Sequence, residues 1–272
     1  MSHRIRRRDF LAGAAAIAFG GAARLRAQQA IATHKIGEAT LRVFSDGGMN
    51  VPSDRFVDKA FDGDGAAMLQ RIGAANGGTF AINVCVLDLG GKRYLIDSGA
   101  GPYWIDTAGK LPDVMDAAGI TPESIDHVII THCHADHLWG VVDEFDSGLR
   151  YPRATYFVPA VEFDFWSGDQ ALNTQGVHEG VAAGAKRVLK LIGGKTTRVA
   201  AGVEILPGIA TIDAGGHCPG QCAIHIKSAG QSLVITADTL FHPIVSVEHP
   251  DWQPLQDMDG QRAGASRRRI LD

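Results

Sequence analysis

Three consecutive β-branched residues, Val128-Ile129-Ile130, run directly into Thr131-His132-Cys133-His134-Ala135-Asp136-His137. A continuous apolar run of that kind reads as a buried strand, so the histidines stand where a strand ends. Residues two apart on an extended segment face the same side, and His132 and His134 can therefore grip one metal ion. Asp136 and His137 fall where the chain must turn towards its next helix, and from there they can point to a second ion nearby. Three histidines and one aspartate in this fixed register are far more specific than a lone histidine.

The rest of the chain alternates short apolar runs with glycine-rich turns. Thr40 to Ser45, Ala81 to Leu89 and Arg93 to Ile96 read as strands, the last two joined by Gly90-Gly91 as a hairpin. Asp97-Ser98-Gly99-Ala100-Gly101 reads as a flexible loop, and Leu111 to Ala118 has helical spacing. A second round follows, with a strand over Ala154 to Val158 and a helix over Val181 to Ile192. Thr197 to Val199 and Val203 to Leu206 read as a pair of strands, and Ala223 to Ile226 with Leu233 to Thr236 as a further hairpin. Interleaved strands and helices in two similar halves favour an α/β layer architecture over an all-β sandwich. No Pro- or Ser-rich linker divides the chain.

Of the 272 residues 45% are hydrophobic, enough for a full core, yet no apolar run reaches the roughly 18 residues that span a bilayer. Residues 1–27 carry six Arg and one acid, and the remaining 20 basic and 29 acidic residues leave a net charge of −9. An acidic body lacks the clustered Lys and Arg that nucleic acid requires. The first 27 residues form a basic region through Arg4, Arg6, Arg7 and Arg8, a small apolar stretch from Ala12 to Ala23, and an end at Leu25-Arg26-Ala27. With Arg7-Arg8 followed by x-Phe-Leu, the segment resembles a twin-arginine export signal. It implies cleavage after Ala27, a periplasmic mature chain and one domain over residues 28–272.

Four motifs in order resemble those of the metallo-β-lactamase superfamily. They are Leu95-Ile96-Asp97-Ser98-Gly99, the H-x-H-x-D-H segment, Gly216-His217-Cys218-Pro219-Gly220-Gln221 and Thr236-Ala237-Asp238. The resemblance implies a four-layer αββα sandwich with a two-metal site at one edge, the ions being divalent and zinc the first expectation. His132, His134, His217 and Asp238 would hold one ion, and Asp136, His137 and the shared Asp238 the other. Asp97 would orient a metal-bound histidine. A hydroxide held between two ions is a nucleophile at neutral pH, and Asp238 or Asp136 could pass the proton to the leaving group. Alternation along the chain turns Cys133 and Cys218 away from the ions.

The stretch Ala237-Asp238-Thr239-Leu240-Phe241-His242-Pro243, with His249-Pro250-Asp251-Trp252 beyond it, resembles the branch containing acyl-homoserine lactonases and methyl parathion hydrolase. That implies an ester, lactone or phosphotriester as small-molecule substrate, with a homodimer compatible. A β-lactamase, a glyoxalase-type thioesterase and a non-catalytic binding protein remain as alternatives. Two departures stand out. Phe241 occupies the place of a substrate-touching Tyr, and the sequence ends at Ser266-Arg267-Arg268-Arg269-Ile270-Leu271-Asp272, before the strand that brings a final His to the second ion. Either the sequence is truncated, or His242 or His249 substitutes, or the second ion binds weakly. Met49, Val51, Phe56, Phe61, Met68, Phe163, Phe165, Trp166 and Leu172 are candidates for an apolar mouth, with Phe241 and His242 beside the metals. His178 and the run Arg267 to Arg269 read as solvated surface.

Overall fold

The structure is a computed structural model that describes residues 31–53, 64–143, 148–174 and 180–272. The segment 1–27, Phe56, Phe61 and His178 lie outside the described residues. Seven strands form one sheet in chain order: β1 (Ala32–Ile36), β2 (Ala39–Val51), β3 (Gly78–Leu89), β4 (Lys92–Ile96), β5 (His127–Ile129), β6 (Thr155–Pro159) and β7 (Thr196–Val199). Pairing is antiparallel from β1 to β4 and parallel from β4 to β7. Gly90 and Gly91, at φ +59° and +74°, make the tight β3–β4 turn that a side chain at either position would strain. The second sheet is antiparallel and holds β8 (Glu204–Leu206), β9 (Ile209–Asp213), β10 (Cys222–Ser228) and β11 (Gln231–Ile235).

Among the described residues the α-helices are α1 (Asp64–Arg71), α2 (Leu111–Ala117), α3 (Ala135–Leu138), α4 (Ala160–Ser167), α5 (Val181–Ile192), α6 (Val245–Glu248) and α7 (Gly260–Leu271). Alternation within the strands sets the layers. Val84, Val86, Leu95, Val128 and Val158 pack on one face of the large sheet against Leu111 and Met115 of α2, Trp166 of α4 and Leu189 of α5. Cys85, Leu87, Tyr94, Ile96 and Phe157 occupy the opposite face and meet Ile209, Ile224 and Ile226 of the small sheet. Two sheets thus lie face to face with helices outside, the sandwich expected from the motifs. α7 anchors at the end of β9, where Ser266 Oγ donates to the Gly215 carbonyl and Arg269 to the Asp213 carbonyl. Among the described residues no helix is long and apolar enough to cross a membrane.

Three sequence expectations change. The two rounds do not form two equal sheets: β6 and β7 of the second round join the large sheet, giving seven strands against four, and the small sheet includes β9, which the sequence did not signal. Thr197 to Val199 and Val203 to Leu206 do not pair, because β7 joins the large sheet and β8 the small one. The loop after β4 is no flexible connection, since Asp97, Ser98 and Ala100 are buried. Buried Asp46 of β2 holds it by accepting from the amides of Ala100, Gly109 and Leu111.

Candidate metal centre

In an α/β sheet, ligands collect outside the carboxyl ends of the parallel strands. Here β4 runs into Asp97 and β5 into His132, while the small sheet contributes the β9–β10 loop with His217 and the turn after β11 with Asp238. The sandwich brings all four to one edge. His132 Nε2 lies 3.2 Å from His134 Nδ1, which lies 3.0 Å from His217 Nε2. A tetrahedral ion with metal–nitrogen bonds near 2.0 Å spaces its donors about 3.3 Å apart, so three buried imidazoles stand as a ligand set would.

The far side of the rings supports the same reading. Thr131 Oγ1 donates to Asp97 at 2.9 Å and faces His132 Nδ1 at 3.1 Å, so it accepts the proton of that nitrogen. Asp97 Oδ2 accepts from His137 Nδ1 at 2.8 Å, and Asp257 Oδ1 accepts from His217 Nδ1 at 3.2 Å. Each acceptor holds a ring proton on the outward nitrogen, so that the inward nitrogen is the one a metal would take. Asp97 also accepts from the Thr131 amide at 2.8 Å, binding the ends of β4 and β5 together.

Asp238 connects the two sets of rings. Its Oδ1 lies 3.2 Å from His137 Nε2 and its Oδ2 3.5 Å from His217 Nε2. Asp136 stands beside the same ring, with Oδ2 3.4 Å from His137 Nε2. Two groups with donor atoms all within 4.8 Å of one another emerge: His132, His134, His217 and Cys218, and His132, His137 and Asp238. Burial disfavours a charged His137 ring, but Asp238, Asp136 and Asp97 outweigh it and hold the ring well above its ordinary value. His217 is raised in the same way, against burial, by Asp257 and Asp238. Asp238 is held below the carboxylate range because His137 and His217 outweigh its desolvation. The edge is an anionic pocket whose inward ring nitrogens exchange protons for a cation, and the donor set fits a divalent one.

The structure corrects several expectations at this edge. Cys218 does not turn away, for its Sγ lies within 4.8 Å of donor atoms of His132, His134 and His217, and 3.2 Å from His134 Nε2. Cys133 is buried in the helix-side core. His242 and His249 belong to neither donor group: His242 Nδ1 accepts from the amides of Ile244 and Val245, and the His249 ring stacks on Trp252 at 4.0 Å. Phe163 and Trp166 are core residues, not an apolar mouth, and Leu172 is exposed. Phe241 packs edge-to-face on Phe80 at 6.2 Å, in a cluster with Val51, Met68 and Trp252. Arg267 is fully buried, where solvent was expected, with both Nη atoms 3.0 Å from Asp257. Glu162 and the Asp257 carboxylate, both buried beside the ligands, carried no motif that would have disclosed them.

The sequence profile of the metallo-beta-lactamase superfamily matches residues 77–272. Comparison with curated proteins gives no match. Among solved structures, the chain is similar to AidC, a dizinc quorum-quenching lactonase, at 26% identity and a TM-score of 0.80, over 88% of this chain and 85% of that one. The hydrolase AbOPH, in the beta lactamase superfamily, is 23% identical with a TM-score of 0.79, over 88% and 84% of the two chains. A probable metal-dependent hydrolase from Staphylococcus aureus shares the fold at 18% identity and a TM-score of 0.74, over 88% and 86%. With nearly three quarters of its length inside the profile and its motifs gathered at one edge, the chain belongs to the metallo-β-lactamase superfamily.

Proposed function

We propose that this protein is a two-metal hydrolase that cleaves an ester, lactone or phosphotriester in the periplasm. The observation that carries the reading is Asp238, whose two carboxylate oxygens face different histidines, His137 and His217, as a bridging ligand must. The similarity to a dizinc lactonase supports the lactone arm, and the basic segment 1–27 supports export.

His132, His134, His217 and Asp238 would hold one ion, and Asp136, His137 and Asp238 the other. Bound there, two divalent ions supply a nucleophilic water at neutral pH and an electrophile for a carbonyl or phosphoryl oxygen. Asp238, fixed between two rings, keeps the halves of the site in register. Asp136 carries a carboxylate oxygen at the same edge and can take up a proton and return it to the departing oxygen. Phe241, half-buried against Phe80, offers an apolar wall three residues from Asp238 for the substrate's acyl or aryl part.

The test is a panel of lactones, aryl esters and phosphotriesters, with nitrocefin and a glutathione thioester, assayed on chain loaded in turn with Zn, Mn and Co. Turnover confined to the first three classes is expected. Turnover only of nitrocefin or of the thioester would contradict the substrate class, and absence of both turnover and bound metal would contradict the enzyme reading.

A further inference from the structure

Glu162 is the third residue of α4 and fully buried, and among the described residues no Lys or Arg pairs with it. It sits instead among N–H donors. Its Oε2 accepts from the Cys133 amide at 3.0 Å and from Trp166 Nε1 at 2.8 Å, and its Oε1 accepts from the Gly220 amide at 2.7 Å. Cys133 lies between His132 and His134, and Gly220 lies three residues after His217. One carboxylate therefore clamps the two loops that bring the three imidazoles together, although those loops are 29 and 58 positions away from it in the chain.

We infer that Glu162 is the positioning residue of the three-histidine site, setting the spacing of His132, His134 and His217 before any ion arrives. The inference rests on the metal reading of those histidines. Both oxygens of Glu162 face N–H donors, so an isosteric amide fails in either orientation, because its NH2 must confront a backbone N–H. The approach at Gly220 is equally tight. A Cβ there would fall 2.6 Å from Val161 Cβ and 2.7 Å from the Glu162 amide nitrogen. Only glycine lets the His217 loop come near enough to donate. The Trp166 bond joins Glu162 to its own helix, while the Trp166 ring packs edge-to-face on His134 at 5.5 Å, an aromatic contact that Phe in its place keeps.

The test compares Glu162→Gln with Trp166→Phe. Titrated with Zn(II) against a chromophoric chelator, Glu162→Gln is expected to bind the three-histidine ion on the order of 10–100-fold more weakly and to shift the visible spectrum of the Co(II)-loaded site. Trp166→Phe, which keeps both loop anchors, should retain the affinity and spectrum of the unaltered chain. Equal affinity in Glu162→Gln, or an equal loss in Trp166→Phe, would overturn the inference. Should Glu162→Gln fail to fold, hydrogen exchange in the unaltered chain decides. With metal stripped, the Cys133 and Gly220 amides should stay protected, and rapid exchange of both would overturn the clamp. Failure of the metal reading looks different, since the unaltered chain would then bind no Zn(II) whatever its exchange pattern.

Discussion

Three of the four imidazoles of the cluster are held from behind by an oxygen, and this is the difference between a group of histidines and a ligand set. His132 leans on Thr131, His137 on Asp97 and His217 on Asp257. The cost of rigid donors is therefore met by folding and not by binding. His132→Ala deletes one of three nitrogens around a single point, and it should remove about one equivalent of metal together with the activity. Metal analysis of the dialysed variant checks this, and full metal content with an unchanged rate would remove His132 from the site. The H-x-H-x-D-H register was legible in the sequence because alternation on a strand is local. The supports were not, because Asp46, Glu162 and Asp257 act on partners 29 to 65 positions away. A single carboxylate with no motif gives no sign of such a partner.

Strand and helix positions followed the pattern of apolar residues closely where the pattern was uninterrupted. α5 over Val181–Ile192 buries Val181, Ala182, Ala185, Val188, Leu189 and Ile192, a stripe at helical spacing. β2 runs past its expected end at Ser45, because a shift in pairing between Ser45 and Gly47 lets the strand continue through polar Asp46 and two glycines. α7 misled the reading for a different reason. Its three consecutive arginines looked equivalent, yet Arg267 is buried against Asp257 while Arg268 and Arg269 stay half-exposed. Arg267 also donates to the carbonyls of Pro250 and Trp252, so α7 fixes the segment that holds Asp257 behind His217. Arg267→Met should leave the buried Asp257 carboxylate without its guanidinium, facing only the His217 ring, and lower stability by about 3–5 kcal/mol, read from urea unfolding of the metal-loaded chain. A change below about 1 kcal/mol, the range of exposed pairs, would return Arg267 to solvent.

The layered architecture converges four strand ends on one acidic edge, and that concentration of charge links the whole fold to pH. His137 and His217 are raised above the ordinary imidazole value of 6.5 by the carboxylates around them. In the metal-free protein the stability this confers is complete below 6.5 and fades as pH rises through the raised values. Metal must displace the same protons, so its binding strengthens over that rise. The gap in melting temperature between loaded and stripped protein should therefore widen from about pH 6 to about pH 8.5, and a constant gap would show that these rings do not meet the ions. The central claim is that Asp238 serves two ions at once, and Zn(II) titration of the metal-free chain beside Asp238→Ala and Asp136→Ala tests it most directly. Asp238→Ala should weaken both binding events and Asp136→Ala only the second; an Asp238→Ala protein that loses one ion and keeps the other at its original affinity would contradict the bridge.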